Sequence, residues 1–188
     1  MSTASFSTFF ALLTVAAWIA TAALWFVALV HRRAPDSALG VLFEDVGQVA
    51  LWIAWLVAIV TTCGSLYFSE IAHFIPCKLC WYQRIAMYPL SITLVVAAVR
   101  RDARVWWYVV PQAAIGAAFA IYHTQLQAFP SQHSSFCTIT EPCTVRYVWK
   151  FGFISLPLMA LSAFTLIITL VLTARATAEL PVVEGTVA

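Results

Sequence analysis

Charge is scarce in this 188-residue chain. Asp, Glu, Lys and Arg together supply 10% of it, against about 25% in a soluble domain. That shortage excludes a soluble fold. There is no basic stripe, and the formal net charge is only +2, so nothing points to nucleic acid. A Gly-rich dinucleotide fingerprint is missing. Trp81, not His, follows Cys80, which removes a covalent haem attachment site. No apolar run carries an ionisable residue near its centre, where transporters usually place one. Internal repeats and low-complexity tracts are absent too.

What the chain has in quantity is apolar surface. Hydrophobic residues make up 63% of it, and the mean hydropathy is +0.91. A hydrocarbon core about 30 Å thick takes roughly 20 helical residues to cross. Five runs reach that length, approximately Phe6 to Val30, Val46 to Tyr67, Trp81 to Val99, Val105 to Thr124 and Phe153 to Ala174. The expected fold is an all-α integral membrane helical bundle, a single membrane domain over residues 1–188 set in a lipid bilayer. The first run lacks a basic lead-in and is too long for a signal-peptide core, so it reads as a retained helix. Pro89, Pro111 and Pro157 fall within runs, near their ends, and are expected to kink them. The tail, residues 176–188, is mixed and Pro-containing and reads as disordered.

Lys and Arg in short loops set orientation. Arg32, Arg33, Arg100, Arg101, Arg104 and Arg175 fall on one side; Lys78, Arg84, Arg146 and Lys150 fall on the other. The dense Arg100–Arg104 cluster is the clearest signal. It predicts the N-terminus outside and the C-terminus in the cytoplasm. Four of the five cysteines then lie in loops facing outward, where disulfides persist.

Those four form two pairs. Cys77 and Cys80 make a CxxC just ahead of the third run, within Pro76-Cys77-Lys78-Leu79-Cys80-Trp81-Tyr82-Gln83-Arg84. A helix starting near Leu79 aims its positive dipole end at Cys80 and favours the thiolate. Arg84, one turn on, adds a fixed positive charge on the same face. Thiolate is the species that attacks disulfides. Cys137 and Cys143 lie in a polar loop from about Gln125 to Lys150 that a soluble partner could reach. Two dithiol pairs on one side suggest a relay, with a lipid-soluble quinone between helix ends as the onward acceptor.

The segment Cys77-Lys78-Leu79-Cys80-Trp81-Tyr82-Gln83-Arg84 resembles the CxxC segment of the DsbB/BdbC family of membrane disulfide bond formation proteins. So does Ser65-Leu66-Tyr67-Phe68 ahead of it. His123-Thr124-Gln125-Leu126-Gln127, followed by Phe129-Pro130-Ser131, is similar to the end of that family's third helix. Cys143, Trp149 and the Phe153–Leu161 region with Pro157 are similar to the approach to its last helix. The resemblance spans roughly Leu66 to Ser162. It implies a four-helix DsbB-like core, here with an additional N-terminal transmembrane helix, in a bacterial cell (inner) membrane. It implies a quinone-dependent thiol oxidoreductase that reoxidises a DsbA-like thioredoxin-fold dithiol protein and passes electrons to the membrane quinone pool, ubiquinone or menaquinone. On that resemblance Cys137 forms the mixed disulfide with the partner, Cys143 is its mate, Cys77 exchanges with the loop pair and Cys80 lies beside the quinone. Arg84 and His123 match residues at the quinone head group, with Gln127 a weaker third. The loop cysteines here are closer together than in some members.

Plainer readings stand beside these. Either cysteine pair could be a structural staple, and all four together could ligate zinc in a non-enzymatic membrane protein. A vitamin K epoxide reductase-like protein also couples two pairs, but its loop pair precedes the CxxC and here it follows. Cys63 reads as a small packing residue in the second run. His31 belongs with the cytoplasmic rim, and His73 and His133 read as solvated. Trp81, Tyr82, Trp106, Trp107, Tyr108, Tyr147 and Trp149 read first as interfacial belts.

Overall fold

The computed structural model describes residues 3–132, 137 and 142–179. Five long helices form a membrane-type bundle: α1 (Thr3–Arg33), α2 (Ala38–Leu66), α3 (Lys78–Arg100), α4 (Trp106–Ala128) and α5 (Leu156–Ala178). All five are long and apolar enough to cross a bilayer. Ser37 starts α2 by accepting a hydrogen bond from the Gly40 N–H. A π-helical turn, Tyr67–Ile71, prolongs α2, and a 3₁₀ turn, Ala103–Val105, leads into α4.

α5 is the central helix, packed on α2, α4 and α1, while α3 bridges α2 and α4. Close approach rests on small residues. Ala50, Ala54 and Ala58, spaced four apart on α2, are fully buried in the main cluster with Ile167, Leu170 and Ala174 of α5. That is the small-xxx-small packing by which helices associate where lipid gives no hydrophobic drive. Gly116 does the same on α4: a Cβ there would overlap the Phe164 ring of α5.

The prolines do not act alike. Pro157 sits in the first turn of α5, where its missing N–H is no loss, so it starts a helix instead of kinking one. Pro89 lies well inside α3, far from its end. Nearby, Gln112 of α4 donates to the Ala86 carbonyl at 2.8 Å, a neighbour's repair of a proline-disturbed turn. The fifth span begins at Leu156, since Lys150 and Ile154 first pair across a tight turn at Phe151 and Gly152.

Two further expectations are corrected. Residues 176–178, assigned to a disordered tail, continue α5, and Arg175 pairs with Glu179 at 2.9 Å; the tail from Leu180 lies outside the described residues, as does His133. Cys63 is exposed on the bundle's outer face instead of packed, because its neighbours Thr62 and Gly64 take the buried side of α2.

The basic and cysteine-bearing regions occupy opposite ends. At one, the Arg175 guanidinium lies 4.0 Å over the Trp106 ring, joining the end of α5 to the start of α4. At the other, the start of α3 meets the end of α4 and the loop leading to α5.

Candidate redox site

The CxxC sits where an extended segment becomes a helix. Cys77 is the cap residue, and α3 begins at Lys78. This is one residue earlier than the sequence suggests, so the dipole end meets Cys77 first. Both cysteines are free thiols, their Sγ atoms 3.3 Å apart, Cys77 buried and Cys80 half-buried. The Cys77 thiol is held far below its ordinary value of 9.0, at about 4. The main cause is a hydrogen bond from the Cys80 thiol to its sulfur; His123 facing it adds to this, while burial opposes it.

His123, buried on α4, ties this pair to the second. Its Nε2 lies 3.7 Å from Cys77 Sγ and 3.1 Å from the Cys143 carbonyl oxygen. Its Nδ1 lies 3.3 Å from the Gln83 amide nitrogen. An amide nitrogen only donates, so Nδ1 accepts and Nε2 carries the proton. One N–H therefore faces both the Cys77 sulfur and the backbone of Cys143.

Cys137 and Cys143 are joined in a disulfide. Cys143 is buried in one apolar cluster with Cys77, Leu79 and Leu126, and Cys137 and Cys80 border it. The polar loop is pinned over that cluster. Gln127 donates to the Val145 carbonyl at 3.0 Å, Arg146 donates through Nε to the Gln127 carbonyl at 3.0 Å, and Tyr147 stacks on Phe74 at 4.7 Å.

Two hollows meet at Cys80. A small cleft of about 20 Å³ holds Cys77, His123, Gln127 and Cys143 along its walls. A cavity of about 490 Å³ is bordered instead by Gln83 and Arg84, with an otherwise largely apolar lining from α1, α2 and α5. Cys80 lines both. Arg84 is half-buried there, its Nη2 donating to the Ser65 carbonyl at 3.1 Å. The family resemblance implies Arg84 and His123 at one head group; in the structure Arg84 lines the large cavity and His123 the small cleft. Gln127 goes with His123. Gln83, within the CxxC segment, joins the site through His123 and the cavity wall. Its signal was a polar residue one turn from Cys80 on a membrane helix.

Cys77, Cys80 and His123 offer ligand atoms within 4.8 Å of one another. A tetrahedral structural zinc takes four ligands, and the neighbouring thiolates are spent in a disulfide. A disulfide beside a low-pKa dithiol is instead a thiol–disulfide exchange couple.

Comparison with known proteins agrees. The family model for disulfide bond formation protein DsbB matches residues 47–174. Disulfide bond formation protein C of Bacillus subtilis is 50% identical over 121 residues, 64% of this chain and 88% of the relative. A probable disulfide formation protein C 1 of Bacillus cereus is 44% identical over 122 residues, 64% of this chain and 88% of the relative. A probable disulfide formation protein of Metapseudomonas resinovorans is 41% identical over 127 residues, 66% and 88% of the two chains. No solved structure matches. With a matching segment that holds both cysteine pairs, His123 and four of the five membrane helices, the chain belongs to the DsbB family of membrane disulfide bond formation proteins.

Proposed function

We propose that the protein reoxidises a thioredoxin-fold dithiol partner outside the cytoplasm and delivers the two electrons to a membrane quinone. One observation carries this reading: Cys80 stands between a cleft that reaches the loop disulfide and an apolar cavity with Arg84 on its wall.

The relay balances in three exchanges. The partner's dithiol reduces Cys137–Cys143 and leaves as a disulfide. The loop dithiol then reduces a Cys77–Cys80 disulfide and re-forms its own. The Cys77–Cys80 dithiol finally closes again, giving up two electrons and two protons. A quinone supplies the acceptor chemistry, taking both electrons and both protons and departing as quinol. The loop pair oxidised and the CxxC pair reduced correspond to the state after the second exchange.

Each residue has a part. The His123 N–H steadies negative charge on Cys77, and the dipole end of α3 adds to that. A stabilised thiolate favours the reduced form of its pair and so makes that pair the oxidant, which draws electrons from loop to CxxC. Arg84 offers a fixed cation beside Cys80 for an acceptor oxygen gaining charge. The cavity fits a quinone: polar groups at the Cys80 end, hydrocarbon along the rest.

The test is a thiol count by mass after alkylation of purified, fully reduced protein, with and without quinone. Loss of all four relay thiols that depends on quinone and is blocked by Cys80→Ser supports the relay. Thiols that survive quinone, or vanish equally without it, overturn it.

A further inference from the structure

α1 lies outside the segment that matches the family, yet it walls the large cavity. Phe9, Phe10, Leu13, Thr14, Ala17 and Ala20 all line it. From Phe9 to Ala20 these positions run about 16 Å along the helix axis. They begin near the α2 segment facing Arg84 and run toward buried Leu166 and the outward-facing Leu56. α1 reaches α2 closely because residue 64 is glycine: a Cβ there would overlap the Phe10 ring. Ala17 and Ala20 pack against the main core, and larger side chains at either would fill the hollow.

We propose that α1 forms the channel for the acceptor's apolar tail and sets which tail lengths fit. The inference rests on the quinone reading above and adds the part of the site that holds hydrocarbon. Gln83, Arg84, Ser65, Ser69 and Tyr88, of α2, its π-helical turn and α3, gather polar groups toward the Cys80 end, while the Thr61 and Ser162 hydroxyls on the wall are spent on the Val57 and Met159 carbonyls. What α1 contributes there is almost wholly apolar, since the Thr14 hydroxyl is spent on the Phe10 carbonyl at 2.9 Å. α3 and the polar groups would position the ring; α1 would grip the tail.

The test uses full-length protein in detergent with two probes, a decyl-tailed benzoquinone and its tail-less methyl analogue. Kd is read from quenching of tryptophan fluorescence, and KM from quinone reduction with dithiothreitol as electron donor. Ala17→Phe narrows the channel from a half-buried position. Leu13→Trp does so from a position already 37% exposed, where a larger ring is tolerated by the fold. In both variants, Kd and KM for the decyl probe rise about tenfold, and those for the tail-less probe stay at wild-type values. Leu12→Ala, on the lipid-facing side of α1 and 56% exposed, leaves both probes unchanged. Unchanged decyl affinity, or equal weakening for both probes, overturns the role of α1. Wild-type protein that binds and reduces neither probe overturns the quinone reading itself.

Discussion

Three neighbours act on one sulfur at Cys77: the start of α3, the Cys80 thiol and the His123 ring. An ordinary thiol near pKa 8.5 loses reactivity about tenfold per pH unit below that value. With Cys77 near 4, its alkylation in the reduced protein stays flat from pH 8 to about pH 5 and falls only as pH approaches 4. Peptide mass mapping across that range checks it. Linkage has the matching sign: a thiol pKa lowered on folding stabilises the reduced protein fully above pH 9.0, and that stabilisation is lost as pH falls through about 4. His123→Phe removes the N–H that faces both pairs. Exchange between loop and CxxC then slows by about a hundredfold, and the midpoint of the Cys77 alkylation profile moves up. Gln83→Leu, which frees Nδ1 and releases the tautomer, moves that midpoint in the same direction by less. Stopped-flow transfer from a reduced loop pair measures the rates.

Helices place these groups through small residues and repaired breaks. Gly116 lets α4 lie against Phe164 of α5, and His123 stands two turns further along α4. Gly116→Val pushes the two helices apart, costs about 1–3 kcal/mol, and lowers the midpoint of denaturant unfolding. Pro89 and Gln112 form the second such device. Gln112→Leu removes the donor that ties α4 to the Ala86 carbonyl and costs about 0.6 kcal/mol, the size of a typical interhelical hydrogen bond in a membrane. The pair matters for function because Ala86 lies within the turn after Gln83 and Arg84. Loosening there reaches the cavity wall.

Across the whole molecule, six of the eight arginines gather at the end where Arg175 covers Trp106, and the cysteine pairs lie at the other. Positive charge is favoured on the cytoplasmic side, so we propose that the cysteine end faces outward, where oxidised loops persist. A membrane-impermeant maleimide on intact cells therefore labels Val145→Cys, 39% exposed in the loop, and leaves Arg104→Cys unlabelled until the membrane is permeabilised. The reverse pattern overturns the orientation.

Much of this was legible in the chain because membrane insertion is read from composition. Five apolar runs of spanning length, punctuated by short charged stretches, dictate five helices, since backbone polar groups in lipid must be paired within the segment. The CxxC ahead of a helix and the CKLCWYQR segment likewise carry their chemistry locally. Side-chain partners across the bundle are a different matter, because they depend on helix rotation and on loops that periodicity does not fix. Only the folded chain brings His123 between Cys77 and the Cys143 carbonyl, separates it from Arg84, turns Cys63 outward and makes Pro157 a helix start. The role of α1 was illegible for the same reason. Its sequence says that it crosses a bilayer; its packing against Gly64 and beside the Cys80 cavity is a property of the assembled helices alone.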